Sequence, residues 1–279
     1  MTEFFCLLPL LLFLFFFTLI PILGVIGLSF SPASGGPGLT FANYSGLFSQ
    51  PEFLSAFFNT LVIALTSLAI ELALGLILAL VLSGERRSLR FFRPIALLPL
   101  AIPTVVAGVA MRFLFSNTGW INRILHDLRL ADSPVYWMSG GTRSLLMVAL
   151  ADAWKVTPLV MLILLAGLQS IDRSLYKAAR IDGAGTWYTF RRVTLPLLLP
   201  SITAAVIIRG IDAFRIFALP LILMGENLKV IGTYSYLEYT EFNDPYASAA
   251  SSVVLLLMIL FAVTVYLRSV GKRGLGALS

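Results

Sequence analysis

Cysteine and histidine are almost absent from this chain of 279 residues, which contains one of each, Cys6 and His126. A single cysteine excludes a disulfide within the chain and a cysteine-rich metal site. A single histidine excludes a histidine metal cluster, and because His126 lies outside the apolar runs, a Ser/His/Asp catalytic set is not expected. The ATP-binding pattern G-x-x-x-x-G-K-[ST] is missing as well. The sequence therefore predicts no cofactor site and no catalytic residue in this chain.

Charged residues are scarce too, at 12% of the chain against 58% hydrophobic residues and a mean hydropathy of +0.92. A soluble domain carries about twice this charged fraction. Apolar runs of about twenty residues recur, which is the length of a helix that crosses a hydrocarbon core of about 30 Å. The runs lack the two-residue alternation of barrel strands. The fold class predicted is an all-α polytopic membrane protein with six spans at about 5–29, 57–83, 94–115, 144–167, 197–224 and 249–268.

Prolines and small residues add detail to these spans. Pro99 and Pro103 predict a kink or break in the third span, and Pro200 and Pro220 predict bends in the fifth. Small residues that permit close helix packing recur in the second and third spans, at Gly75, Ala79, Ala107, Gly108 and Ala110.

Lysine and arginine are missing from residues 30–56 and are concentrated in three other places. These are the loop after the second span (Arg86, Arg87, Arg90, Arg93), the loop after the fourth (Arg173, Lys177, Arg180, Arg191, Arg192) and the C-terminal tail (Arg268, Lys272, Arg273). Basic residues gather on cytoplasmic loops, so both termini and both arginine-rich loops are predicted to be cytoplasmic. The loop after the third span is predicted to lie outside, yet it contains Arg123, Arg129 and Arg143, which Asp127 and Asp132 partly balance.

The basic segment at 172–192 has more pattern than a plain loop requires. Residues 174–181 are good helix formers, and Asp182-Gly183 predicts a turn, because Gly tolerates positive φ and Asp favours turns. A second helical run, AGTWYTFRRV, follows before the fifth span. The prediction is a helix–turn–helix on the cytoplasmic surface, with aromatic residues such as Trp187 at the membrane interface.

This segment resembles the cytoplasmic signature of ABC importer permeases, which reads EAA, three residues, G, nine residues, I, one residue, LP. The spacing matches throughout, at Lys177, Ala178, Ala179, Gly183, Val193, Leu195 and Pro196. Lys177 stands where the signature has Glu, which reverses a charge, and Val193 stands where it has Ile. The stretches NYSGLFSQPEFLSAFFNTL, ADAWKVTPLVMLILLAGLQSID and RGIDAFRIFALPLIL resemble the sugar-importing branch, and the N-terminal span with DAFRIF resembles its MalF-type member.

The resemblance implies a single transmembrane permease domain over residues 1–279, with core spans at about 57–268 and a cytoplasmic coupling loop at about 172–192. Such a subunit is not an enzyme. It serves an ATP-driven importer of a carbohydrate, with a disaccharide such as trehalose or maltose favoured. The residues implied to couple it to the ATPase are Lys177, Ala178, Ala179, Asp182, Gly183, Leu195 and Pro196.

The implied partners are a second, MalG-type permease, two ATPase subunits that bind ATP and Mg²⁺, an extracytoplasmic substrate-binding protein and the lipid bilayer, with no nucleic acid. The implied location is the cytoplasmic (inner) membrane of a bacterium or archaeon, with several passes.

Charged residues inside the spans are the second functional signal. Such residues are costly at membrane depth and face a bundle interior or an aqueous cavity. Asp152 and Arg209 both fall near mid-bilayer. One interpretation is a polar pathway for sugar between the fourth and fifth spans, formed by Asp152, Trp154, Lys155, Arg209, Asp212 and Phe214. The other interpretation is that these charges form ion pairs that hold the helices, or the partner permease, in place.

Other functions fit part of the pattern. A permease for a non-sugar solute, such as a polyol phosphate or a polyamine, would share the coupling loop. An autonomous secondary transporter would use the buried charges as an ion path. A membrane-embedded enzyme would rely on Glu71 or Asp152, although neither lies in a recognisable protease motif.

Overall fold

The computed structural model describes the backbone of residues 2–33, 36, 38–84 and 87–274, and the side chains of 8–33, 36, 38–84 and 91–269. Arg86 lies outside the described residues, as do the side chains of Cys6, Arg87, Arg90, Lys272 and Arg273. Over the described residues the chain is helical and contains no strand. The α-helices are α1 Thr2–Leu14, α2 Ile20–Ser29, α3 Ala42–Ser49, α4 Pro51–Leu82, α5 Arg87–Ala101, α6 Thr104–Leu114, α7 Trp120–Asp127, α8 Gly141–Ser170, α9 Arg173–Ile181, α10 Thr186–Thr189, α11 Leu195–Phe214, α12 Ala218–Met224, α13 Ile231–Thr240 and α14 Pro245–Gly274.

The predicted spans are present, with different ends. Among the described residues, five helical segments are long and apolar enough to cross a bilayer, and a bent pair makes a sixth if it counts as one span. The five are Leu8–Ser29, Pro51–Leu82, Gly141–Ser170, Thr186–Phe214 and Pro245–Ser269. The predicted all-α membrane fold is therefore confirmed.

The break predicted in the third span is confirmed. The segments Phe91–Ala101 and Thr104–Leu114 meet at an angle of 92°. Pro103 lies between them with extended backbone angles (φ −54°, ψ 141°). Proline cannot donate the helical hydrogen bond and disfavours the helical conformation of the residue before it, so the helix ends there.

The predicted bounds of the fifth span are wrong at both ends. The helix begins at Thr186 and runs through a wide π-helical turn at Phe190–Thr194 into α11, so the second half of the polar segment is the start of the span. The helix ends at Phe214 rather than 224, where the N–H of Arg215 bonds to carbonyls of the last turn. It passes Pro200 without interruption, and Pro220 lies in the separate helix α12.

The described chain forms two compact units. The first consists of the described residues up to Phe58 together with Lys229–Phe261. Its core places Phe53 and Tyr234 edge to face at 5.3 Å between ring centroids. The hydroxyl of Tyr234 donates a hydrogen bond to Gln50 Oε1. A salt bridge of 2.7 Å joins Lys229 Nζ to Glu52 Oε2.

The second unit consists of Asn59–Leu228 and the described residues from Ala262 onward. Its core packs α4, α8 and α11 around Val160, Met161 and Leu198. Two of the small residues predicted to permit close packing do so. A Cβ on Gly75 would lie 2.8 Å from Val160 Cγ1, and one on Gly108 would lie 2.9 Å from Ile222 Cγ2. The helices therefore approach closely at these points. Ala79 and Ala107 are buried, whereas Ala110 is exposed.

Candidate functional site

The polar segment at 172–194, which we call the hairpin, begins with a capped helix. Asp172 is the N-cap of α9, and its Oδ1 accepts a hydrogen bond of 2.8 Å from the N–H of Ser174. The cap satisfies one of the backbone donors left open at a helix start. The same hydrogen bond holds the pKa of Asp172 below its ordinary value. Only two residues, Ile171 and Asp172, therefore separate the end of the apolar span α8 from the start of α9.

The turn of the hairpin depends on Gly183. Asp182 is the C-cap of α9, and Gly183 follows with φ +73°, a conformation that residues with a Cβ rarely adopt. The N–H of Gly183 bonds to Arg180 O (3.1 Å) and the N–H of Ala184 bonds to Ala179 O (2.9 Å). This pair of bonds is the Schellman motif, which satisfies the last carbonyls of the helix. The predicted turn at Asp182-Gly183 is confirmed.

The hairpin exposes apolar side chains on an otherwise polar segment. Within the described structure α9 buries no residue, and Ile181 is 86% exposed, Trp187 71% and Tyr188 59%. A shallow groove of about 620 Å³ runs along one side, and Ala178, Ala179, Asp182 and Gly183 belong to its lining. An exposed apolar surface of this kind is typical of a protein–protein or membrane contact.

The predicted coupling residues do not all lie on this groove. Lys177 is exposed and lines a different, larger cavity. Leu195 is partly buried and Pro196 is exposed in the first turn of α11, at the base of the hairpin. There, Thr194 Oγ1 donates a long hydrogen bond of 3.4 Å to Tyr176 Oη, which joins α9 to the start of α11.

At membrane depth, three helices meet in one buried ionic cluster, which consists of Ser67, Glu71, Asp152 and Arg209. The Nε of Arg209 on α11 lies 2.7 Å from Glu71 Oε2 on α4, and its Nη2 bonds to Asp152 Oδ2 on α8. Ser67 Oγ lies 2.7 Å from Glu71 Oε1 and 2.6 Å from Asp152 Oδ2. Glu71 is 0% exposed and Arg209 3%, so the charges are separated from solvent in this chain.

Sequence reasoning placed Asp152 and Arg209 at one depth, and the structure brings them into contact. Neither Glu71 nor Ser67 was predicted from the sequence to belong to the same site. The available signal was that Ser67 lies four residues before Glu71, on the same helix face. A hydroxyl carries one proton, so Ser67 donates to one of the two carboxylates at a time.

The other predicted pathway residues do not converge on this cluster. Trp154 is 40% exposed, Lys155 is partly buried and Asp212 is exposed. Phe214 is 5% exposed and packs at the end of α11. The polar pathway predicted between the fourth and fifth spans is therefore split into a closed ionic cluster and separate outer residues.

No group of three or more metal-ligating side chains occurs in the part of the chain that the structure describes. The described residues thus form an exposed hairpin, a cavity beside it and a buried ionic cluster that joins three helices.

Comparisons with known proteins show which family the chain matches. Residues 71–270 match the family model described as "Binding-protein-dependent transport system inner membrane component". The chain is similar to the trehalose/maltose transport system permease protein MalF of Thermococcus litoralis, with 34% identity over 94% of this chain and 90% of that protein. It is also similar to the sulfoquinovosyl glycerol transport system permease protein SmoG of Agrobacterium fabrum, with 33% identity over 88% and 81% of the two chains.

A solved structure is also similar, with a TM-score of 0.80 and 25% sequence identity over 94% of this chain and 92% of that one. It is described as a bacterial alginate ABC transporter in complex with an alginate pentasaccharide-bound periplasmic protein.

Proposed function

Because the chain belongs to the family of binding-protein-dependent transport system inner membrane components, we propose that it is the membrane permease subunit of an ABC importer for a carbohydrate. Alternating access of the spans would be driven by a separate ATPase, and the chain itself is a transport subunit rather than an enzyme. The sequence has no ATP-binding motif of its own, which agrees with ATP and Mg²⁺ being held by partner subunits.

The observation that carries the coupling role is the exposed hairpin. Gly183 fixes its turn, and Ala178, Ala179 and Asp182 line its groove. The helix that forms its second half continues into the span that carries Arg209. In this role the groove receives the ATPase subunit, while Leu195 and Pro196 start the helix that transmits the motion. Lys177 is part of the same loop but lies on its opposite side.

The partners follow from the same assignment. The alginate transporter was solved with a periplasmic protein bound, which supports an extracytoplasmic binding protein for this chain as well. We also propose two ATPase subunits and a second permease of the MalG type. The arginine-rich loops and both termini then face the cytoplasm, as the distribution of basic residues predicts.

The cargo class rests on the relatives. The MalF relative is named for trehalose and maltose, SmoG for sulfoquinovosyl glycerol and the solved transporter for alginate, all of which are glycans or glycosides. A disaccharide such as trehalose or maltose is favoured. The geometry favours helix locking for Asp152 and Arg209, because each already holds the other. Trp154, Lys155 and Asp212 remain proposed contacts to sugar or to the second permease, whereas the burial of Phe214 favours a packing role.

The test uses the whole importer reconstituted in liposomes, with uptake of labelled trehalose and maltose as the measurement. Ala179→Glu places a charge in the groove, and Gly183→Ala strains the turn, since a left-handed residue other than Gly costs about 1–2 kcal/mol. We expect Ala179→Glu to abolish uptake and co-purification of the ATPase, and Gly183→Ala to reduce both about five- to thirtyfold.

Gly141→Ala is the matched control, because Gly141 has the same φ of +73° and the same open space as Gly183 but lies at the start of α8, away from the hairpin. Its uptake should equal that of the wild type. Gly183→Ala and Gly141→Ala should show the same small fall in unfolding temperature, because both strain a left-handed residue, whereas Ala179→Glu should unfold at the wild-type temperature. Full uptake by Ala179→Glu would refute the coupling role. Uptake of a polyamine or polyol phosphate in place of any sugar would refute the proposed carbohydrate cargo but not the coupling role.

A further inference from the structure

Helix α7 exposes an apolar face that the rest of the described chain leaves uncovered. Trp120 is 66% exposed, and Ile124 and Leu128, the residue after the last turn, are exposed as well. The three recur at four-residue spacing and therefore lie on one side of the helix, which we call the apolar sector. The remaining exposed surface of α7 is polar and is formed by Arg123, His126 and Asp127. The helix thus presents an apolar and a polar sector side by side.

The side chain of Asn122 fixes the rotation of α7. Asn122 is buried and points away from Ile124, since residues two apart lie on opposite sides of a helix. Its Nδ2 donates to Ser116 O (3.1 Å) and to Val135 O (3.0 Å). Its Oδ1 accepts a hydrogen bond of 3.0 Å from the N–H of Val135. A buried amide that uses both its donor and its acceptor favours one orientation, so the fold turns the apolar sector outward.

The same network ties α7 to the start of a membrane span. Asn122 Oδ1 also accepts from Trp137 Nε1 (3.2 Å), and the carbonyl of Trp137 accepts from Ser144 Oγ (2.6 Å) in the first turn of α8. Phe115, just after α6, meets the ring of Trp137 edge to face with 5.3 Å between ring centroids. The span α8 has 30 residues. Such a helix is about 45 Å long, so its ends reach the headgroup regions on either side of a hydrocarbon core of about 30 Å.

We infer that α7 is an interfacial helix, which lies in the headgroup region of the bilayer with its apolar sector among the lipids. Helices with an apolar and a polar sector adopt this position, and tryptophan is enriched at this depth. Arg123 Cζ lies 5.9 Å from the centre of the Trp120 ring. A guanidinium above such a ring reaches lipid phosphates while the ring stays in apolar surroundings. The bilayer thus supplies a counter-charge for an arginine in a loop predicted to lie outside. The inference rests on the membrane fold and does not need the proposed function.

Spin labels on the two sectors of α7 test the inference. Cys6 is the only cysteine of the chain, so Cys6→Ser gives a background in which Ile124→Cys and His126→Cys each carry one label. The full chain is reconstituted in liposomes of phosphatidylcholine and phosphatidylglycerol. Electron paramagnetic resonance then measures relaxation of the label by oxygen, which concentrates in lipid, and by Ni-EDDA, which stays in water. We expect oxygen to be the stronger relaxant for Ile124→Cys and Ni-EDDA the stronger one for His126→Cys.

Phe17→Cys is the reference for lipid contact, because Phe17 is exposed near the middle of the first apolar helix. Leu128→Cys repeats the measurement on the apolar sector if Ile124→Cys does not fold. A ratio of the two relaxation rates close to that of Phe17→Cys supports the inference. A ratio equal to that of His126→Cys would overturn it, because the apolar sector would then face water. Protection of the Ile124→Cys label from both reagents, in the chain alone or after addition of the second permease, the ATPase and the binding protein, would overturn it in favour of a protein contact.

Discussion

Arg209 differs from an ordinary membrane-facing side chain because it is charged and almost fully buried. It lies between the carboxylates of Glu71 and Asp152, on two other helices, and is 3% exposed. A buried ion pair adds little net stability when intact, but breaking one leaves an uncompensated charge in a poorly solvated place. Arg209 is therefore expected to hold α4, α8 and α11 in one arrangement.

Replacing Arg209 with Met tests this role. The change leaves two carboxylates facing each other without a cation, and we expect the free energy of unfolding to fall by about 3–5 kcal/mol. The measurement is chemical denaturation of the purified chain in detergent, followed by circular dichroism.

Two further variants make the result specific. The triple variant Arg209→Met/Glu71→Gln/Asp152→Asn removes all the charges together and should recover most of the lost stability. Arg215→Met, the same substitution at an exposed position at the end of the same helix, should change little. A triple variant no more stable than the single one would contradict the ion-pair interpretation.

The residues of this cluster show how far sequence reasoning reaches. Counting along the helices predicts that Asp152 and Arg209 lie near mid-bilayer, and their contact shows that the two residues lie at one level. The inclusion of Glu71 and Ser67 depends on how α4 is rotated about its axis. Rotation is set by packing against neighbouring helices, which one sequence does not reveal.

Among the helices, α8 and α11 make an unusually close approach at Gly167. A Cβ added there would lie 2.1 Å from Ser201 Oγ and 2.6 Å from Ser201 Cβ. Real Cβ atoms do not come this near other atoms, so the glycine is required by the distance between the helix axes. Small residues permit this packing in membranes, where no hydrophobic force drives helices together.

Gly167→Ala should therefore separate the two helices and destabilise the fold by about 1–3 kcal/mol, the typical cost of overpacking. Ser201→Gly added to it removes the two nearest atoms and leaves the 2.9 Å approach to Leu198 Cδ1, so part of the stability should return. Gly27→Ala, in a helix with no atom within 4 Å of the new methyl group, is the control. Thermal unfolding of the purified chain in detergent measures all three. Equal unfolding temperatures for Gly167→Ala and the wild type would show that the helices are not so tightly apposed.

Element boundaries were predicted well where a single residue decides them. The end of α9 and the bend near Pro103 follow from local backbone preferences, and both are confirmed. The boundaries of the fifth span were wrong because hydropathy locates the bilayer rather than the helix. Arg191 and Arg192 interrupt the apolar run without interrupting the backbone bonds, and the helix ends at Phe214 while the apolar run continues.

For the molecule as a whole, the sequence and the proposed function imply dependence on partners. The chain alone in liposomes should hydrolyse no ATP and should give no sugar uptake under a proton or sodium gradient. Both activities should appear once the ATPase, the second permease and the binding protein are added. Release of inorganic phosphate and accumulation of labelled sugar are the measurements. Gradient-driven uptake by the isolated chain would favour a secondary transporter.

The unbroken helix from Thr186 to Phe214 connects the hairpin directly to Arg209 of the ionic cluster. Treated as a straight rod that pivots near residue 192, it puts Arg209 about 25 Å from the pivot, so a tilt of about 5° displaces Arg209 by about 2 Å. Added to the 2.7 Å between Arg209 Nε and Glu71 Oε2, a displacement of this size goes beyond hydrogen-bond range unless the carboxylates move with the helix. In the proposed importer, a push on the hairpin would therefore break the ionic cluster at the far end of the same helix, with the π-helical turn at Phe190–Thr194 as the pivot.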